Sequence, residues 1–333
     1  MTLGFRHTFG LLSATSVALF CISLLLPNTL AAPTISLLAE LLRDDNEIAR
    51  IILLEIRLPR AVLALMVGTS LGLAGAAMQG LLRNPLAEPG VVGVSGTAAL
   101  GATLTFYSGL AAVAPLALPL GGIAGAMGAV IVLFLIAGRQ ASTATLLLAG
   151  IALNAIAGAL TALTLNLSPN PFAAMEIIFW QMGSLADRSL MHVQLSAPLM
   201  VIGWILILTA APAARALSLG EATASSLGIN VDATQRKIIV GTALCVGAGV
   251  AVTGVIGFIG LIVPHLLRRS CNNDPAQLMI ISAAGGASLL LAADIAVRCI
   301  PTSAELKLGV VTALLGAPVF LYLIFKLRRL ESS

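Results

Sequence analysis

The sequence predicts an all-α integral membrane protein of about ten transmembrane helices, arranged as two inverted five-helix halves. Three observations predict it. First, 59% of the 333 residues are hydrophobic and only 10% charged, with a mean hydropathy of +1.04. A soluble chain carries about a quarter charged residues, so this one cannot cover a water-facing shell and its solvent is lipid. Second, apolar runs long enough to cross a bilayer, about 20 residues each, recur between charged or Pro/Asn-rich breaks. They lie at 9–30, 61–82, 89–110, 115–137, 142–166, 190–212, 237–255, 256–270, 277–297 and 306–327. Third, Gly68, Gly75 and Pro85 have the spacing of Gly247, Gly254 and Pro264, as a repeat of two halves would show.

The first run follows Arg6 and His7. It is long for a signal-peptide core, and Leu30-Ala31-Ala32 is a weak cleavage site, so it is read as a retained span. Residues 33–60 form a periplasmic segment with the densest charge in the chain, and a short amphipathic surface helix is expected there. The pair 237–255 and 256–270 is the tightest: about thirty apolar residues separate Lys237 from Arg268, short for two full crossings. Either one long helix, giving nine spans, or a short broken helix covered by protein fits this Gly-rich stretch with Pro264.

Charge sets the orientation. Arg139, Arg215, Arg236, Lys237, Arg268, Arg269, Lys326, Arg328 and Arg329 all flank spans on one side in a ten-span arrangement. The positive-inside rule makes that side cytoplasmic and places both termini there. The net charge of +4 therefore reports topology; no basic stripe with interleaved aromatics points to nucleic acid. Cys21, Cys245, Cys271 and Cys299 form no CxxC and read as small buried apolar residues. His7, His192 and His265 have no partner at ligand spacing, so no haem-ligand or metal role is assigned. There is no P-loop and no loop large enough for a nucleotide-binding domain.

Two segments carry more than packing. AMQGLLRNPLAEPGVVGVSG (77–96) breaks the chain between spans two and three with two prolines and the Arg83–Asn84 pair. It reads either as a lining loop at the cytoplasmic end of a pathway or as an ordinary hairpin. The longest cytoplasmic loop is placed at 213–236. In its sequence RALSLGEATASSLGINVDATQRK (215–237), Ser218 and Glu221 have capping-box spacing. Leu219, Ala222 and Leu227 give a small apolar face, and Gly228 ends the helix. Such a helix suits a groove on a partner protein or a resting place on lipid; the residues alone leave both open.

RLPR (57–60), the stretch 75–102, LLLAGIALN (146–154), WQMGSL (180–185), LSLGEATASSLG (217–228), GFIGLIVPHLLR (257–268), LLLADIAVR (289–298) and LGVVTALLGAPVFLYLI (308–324) occur in one order. Together they resemble the FecCD-like permeases of bacterial ABC importers for iron siderophores, haem or cobalamin. The resemblance runs from about residue 50 to the C-terminus. It implies the BtuC-like permease fold in the inner membrane, working as a dimer with a second permease copy or paralogue. Two ATP-binding cassette subunits lie below and a periplasmic substrate-binding protein above. No cofactor is implied on this chain, because ATP and Mg belong to the partner ATPase. The resemblance places Leu219, Gly220, Glu221, Ala224, Leu227 and Gly228 at the ATPase coupling surface, which favours the partner groove. It makes Arg57, Arg60 and Arg298 outward-facing docking residues for acidic groups of the binding protein. Lipid-phosphate anchoring of Arg57 and Arg60, and an i,i+4 pair of Arg298 with Asp294, are the plainer alternatives. Asn84, Leu86, Ser142 and Thr143 resemble the cytoplasmic gate, and Asn154 is a polar candidate on the pathway. An ion-coupled secondary transporter is the rival function. It would need intramembrane charge, for which Glu176 and Asp294 are the candidates.

Overall fold

The computed structural model describes residues 4–26, 47–114, 116–137, 143–168, 170–300, 302 and 305–331. Every regular element among them is helical. The principal helices are α1 (Phe5–Leu25), α2 (Glu47–Leu82), α3 (Val94–Tyr107), α4 (Ala117–Ala137), α5 (Thr143–Asn166) and α6 (Pro171–Gln181). They continue with α7 (Leu190–Leu217), α8 (Glu221–Ser226), α9 (Val231–Thr253), α10 (Ile259–Leu267), α11 (Pro275–Cys299) and α12 (Leu308–Glu331). Among the described residues, 7 helices are long and apolar enough to cross a membrane: α1, α2, α4, α5, α7, α9 and α11. Within α12, Leu308–Tyr322 is a shorter apolar stretch.

The ten-span expectation is refined at two places. Spans three and eight are realised as α3, with 14 residues, and α10, with 9. Both are too short to cross alone. The nine-span alternative, one long helix over 237–270, does not form, because α9 ends at Thr253. The surface helix expected within 33–60 lies largely outside the described residues. Residues 27–46 lie outside the described set, and from Glu47 the chain runs as one helix into span two. Pro59 has no N–H to offer Glu55, and the helix widens just before it into a π turn, Ile52–Arg57, closed by Leu58 N–H donating to Leu53 O.

The core is built on α2 and α9, which are mostly buried, whereas α1 is mostly exposed. α2 packs on α11 and α9 packs on α4. The second helix of each half thus lies on the fourth helix of the other, which ties the inverted halves together. Lipid offers no hydrophobic drive for this, so close backbone approach must supply it. At the α2–α11 crossing a Cβ on Gly72 would sit 2.0 Å from Ser282 O, and one on Gly286 would sit 2.1 Å from Gly68 O. α1 is attached by polar glue: Ser16 Oγ and Ser288 Oγ lie 2.8 Å apart, and Ser288 donates to Leu12 O at 3.1 Å.

The break after α9 decides the shape of the interior. Gly254 has φ +73, and a Cβ there would meet Trp180 O at 2.1 Å, so only glycine fits. The freed backbone groups find partners across the fold, as irregular backbone at membrane depth must. Ser184 N–H donates to Thr253 O (2.8 Å), and Val255 N–H donates to Gln181 O (3.3 Å). Inside α10, Pro264 cannot donate to Gly260 O. The Gln79 side-chain amide covers that end, donating to Leu261 O at 3.2 Å and Gly260 O at 3.5 Å, while Arg268 Nη2 donates to Gln79 Oε1 at 2.7 Å. The Gly/Pro spacing that suggested the repeat does not mark equivalent points: Gly254 ends a helix, whereas Gly75 lies inside α2 against Gly260.

Candidate functional site

The loops expected in the cytoplasm gather at one end of the bundle. Arg215 and Asp274 form a bidentate ion pair, with Nε 2.9 Å from both carboxylate oxygens. Asp274 also caps α11 by accepting from Ala276 N–H at 2.9 Å. Burial pushes its carboxyl up, but the bonds from Arg215 and from the Gln277 and Ala276 N–H groups outweigh that and hold it below the usual carboxylate range. Arg83, in the left-handed region at φ 48, ends α2 and reaches the start of α8: a Cβ on Gly220 would lie 3.7 Å from its Nη1.

The short helix α8 has one bound and one free face. Ala224 is fully buried, whereas Leu219 and Leu227 are 65% and 62% exposed. Gly228, at φ +81, ends it, and Ile229 N–H closes back on Ala224 O at 3.1 Å. Two expectations are corrected. Ser218 is not the cap: its hydroxyl donates to Arg215 O, and the N-cap is Gly220 at φ 107. Ala224 cannot contact a partner, because it faces its own chain.

Of the gate residues, Asn84 closes a tight turn by accepting Leu86 N–H at 2.9 Å. Thr143, the first residue of α5, donates its hydroxyl to Glu221 Oε1. Ser142 lies outside the described residues. Sequence reasoning missed Gln235, buried in the first turns of α9, whose Nε2 donates to Thr143 Oγ1 at 3.2 Å and to Glu221 Oε1 at 3.4 Å. No signal in the sequence singles it out, because it sits among the polar residues Asp232, Thr234, Arg236 and Lys237 and its burial is decided by the tertiary fold.

Between α3, α5 and the Gly254–Phe258 break lies a cavity of about 710 Å³, lined by Glu88, Ser95, Asn154, Thr161, Gln181 and Phe258. A second space of about 670 Å³ continues past Gln181 and Phe258 to Gly309, Leu314 and Pro318 of α12. Phe258 stands between the two in the left-handed region at φ 67, and Glu88 Oε1 accepts its N–H at 2.7 Å. Asn154 is thus on the cavity wall as expected. Glu88 was missed, although it is the lone carboxylate between Leu81 and Tyr107. The two carboxylates offered for ion coupling are elsewhere: Glu176 is exposed on α6, and Asp294 is 1% exposed in an ion-pair knot.

That knot occupies the opposite end of the bundle and corrects the expectation for the arginines. Arg57, Arg60 and Arg298 are 5%, 3% and 4% exposed, so none projects outward. Arg60 Nε donates to Asp294 Oδ1 at 2.9 Å, and its Nη2 pairs with Glu305. Arg298 Nε lies 3.3 Å from Asp294 Oδ2, the i,i+4 pair considered above. The last carbonyls of α1 have no intrahelical donors, and the arginines supply them. Arg57 Nη1 donates to Leu24 O and Leu25 O at 3.0 and 2.9 Å, and Arg298 Nη1 to Ser23 O at 3.0 Å. Cations at a helix C-terminus also oppose its dipole.

Three comparisons place this architecture. The FecCD transport family model matches residues 15–326. The hemin transport system permease protein HmuU of Yersinia pestis is 39% identical over 290 residues, covering 84% of this chain and 85% of that one. The vitamin B12 import system permease protein BtuC of Salmonella paratyphi A is 41% identical over 276 residues, covering 83% and 84%. A solved structure described as an inward-facing conformation of a metal-chelate type ABC transporter superposes with a TM-score of 0.85 at 29% identity, covering 96% of this chain and 99% of that one. With a multi-pass helical bundle, a family match over nearly its whole length and permeases on both sides of the comparison, this chain belongs to the FecCD transport family and is an ABC-importer permease.

Proposed function

We propose that the chain carries an iron chelate, haem or cobalamin from periplasm to cytoplasm by alternating access in the bacterial inner membrane, with ferric siderophore the favoured cargo. The observation that carries this is the cavity of about 710 Å³ beside the broken helix. Sites for organic ligands span roughly 300–1,000 Å³, whereas a bare ion needs only a handful of close oxygens. The chain has no P-loop, so ATP and Mg are held by two partner ATPases, which grip Leu219 and Leu227. A second permease copy or paralogue completes the path. Nucleotide acts by binding one bundle arrangement better than the other.

The periplasmic binding protein meets the knot end. Three guanidiniums against the carboxylates of Asp294 and Glu305 leave one positive charge over. That surplus attracts an acidic partner and speeds its approach at low salt, without freeing any arginine from its internal bonds. Both termini lie in the cytoplasm, on the side of α8.

The test is uptake into proteoliposomes by the chain co-expressed with the ATPase and binding-protein genes beside its own, using radio-iron ferric siderophore, haemin and cyanocobalamin in parallel. ATP-dependent accumulation of one of them is expected. Accumulation driven by a proton gradient through the chain alone would refute the reading.

A further inference from the structure

We propose that Gln235 and Glu221 clamp Thr143, so that displacement of α8 is handed directly to the first turn of α5. This rests on the reading of α8 as the ATPase-coupled elbow, and extends it by naming how the elbow is tied to the pathway. Three segments far apart in sequence meet at one hydroxyl. Thr143 Oγ1 donates to Glu221 Oε1 at the start of α8 and accepts from Gln235 Nε2 at 3.2 Å. Gln235 also donates to the same Glu221 oxygen at 3.4 Å, closing a three-membered ring of hydrogen bonds. Gln235 is 4% exposed, and so is screened from water that could replace its bonds.

The mechanical setting fits the role. Ala224 and the Ile229 N–H to Ala224 O bond make α8 a single rigid turn, so a push on exposed Leu219 or Leu227 moves Glu221 with them. α5 carries Ile151, Asn154 and Thr161 on the cavity wall, and much of its remaining surface is exposed. A bond at its first residue thus ties the elbow to the helix that lines the cavity. Because the bond ends on a carboxylate, it is of the stronger, charge-assisted kind. Arg83 Nη1, 3.7 Å from where a Cβ on Gly220 would lie, ends near the same elbow. Gln235 and Glu221 are positioning residues: they hold Thr143 and touch no cargo.

The experiment uses the permease purified with its ATPase subunits in nanodiscs, with exposed Cys21 and Cys299 replaced by serine and a reporter Ile151→Cys on the cavity wall. The rate of methanethiosulfonate modification is measured with and without ATP plus vanadate, on complexes that retain the ATPase. The nucleotide-dependent change in rate is expected to be preserved in Thr143→Ser. It is expected to shrink roughly 3- to 10-fold in Thr143→Val and in Gln235→Leu, the effect of losing about one hydrogen bond. The double variant should be no worse than either single one, the non-additivity of a shared link. A full response in Thr143→Val and Gln235→Leu overturns the link and leaves the functional reading standing. If the unmodified chain retains no ATPase, the reading and the link fall together.

Discussion

Replacing Asp294 with leucine tests whether the three outer arginines belong to the interior. Asp294 is 1% exposed and engages Arg60 through Nε and Nη2 at 2.9 Å and Arg298 through Nε at 3.3 Å. Its removal leaves three buried guanidiniums facing one carboxylate, Glu305, so a second positive charge goes uncompensated. Breaking a buried pair by removing one partner costs about 3–5 kcal/mol, whereas an exposed pair is worth about 0–1. Asp294→Leu should therefore lower the free energy of unfolding in mixed detergent micelles by about 3–5 kcal/mol. Removing Arg60 as well, in Asp294→Leu with Arg60→Leu, should recover part of that: one stranded cation goes with its partner, while Arg298 and Glu305 each lose theirs. The expected coupling between the two sites is at least about 1 kcal/mol. A loss below about 1 kcal/mol in the single variant would refute the reasoning. It would mean that the arginines reach water in the folded protein and stand ready to meet a partner's acids directly.

Four further outcomes follow from the geometry. Gly72→Ala should cost about 1–3 kcal/mol by overpacking, because its Cβ would lie 2.0 Å from Ser282 O, while Gly80→Ala, whose nearest neighbour would be 3.7 Å away, should be tolerated; unfolding in the same micelles compares them. Asp274 has a folded pKa held below its unfolded value near 3.9, so its contribution is present above that value and is lost as pH falls through the lower folded one; Asp274→Asn should flatten the acid limb of the stability curve. Leu219→Asp and Leu227→Asp, on the open face of α8, should leave the chain's own stability unchanged yet cut recovery of the ATPase subunit at least tenfold. Ala224→Leu on the covered face should instead destabilise the chain itself, read by thermal unfolding of the detergent-solubilised protein.

Much of the architecture was legible in the residues. Apolar runs at bilayer length and the expected placement of Arg215, Arg268 and Lys237 on one side depend on transfer from water to lipid, a property of local composition. That is why α5 and α7 begin within a residue or so of their expected starts. The pairing of Thr143 with Glu221 and of Arg215 with Asp274 then shows the loops of one predicted side meeting one another. The apolar face of α8 and the closing role of Gly228 were equally readable, being short-range turn chemistry.

What the chain could not disclose in one dimension was where its polar groups would find partners. Arginines at helix ends look outward when only the end is visible; the carbonyls of Ser23, Leu24 and Leu25 that draw them inward come from another helix. Ser218 has the spacing of a cap, yet Arg215 O claims its hydroxyl. Glu88 and Gln235 gain their meaning only from Phe258, Thr143 and Glu221, far away along the chain. Burial in lipid is additive along the sequence and so can be read from it. Hydrogen-bond satisfaction at membrane depth is a condition on pairs, and only the tertiary structure chooses the pairs.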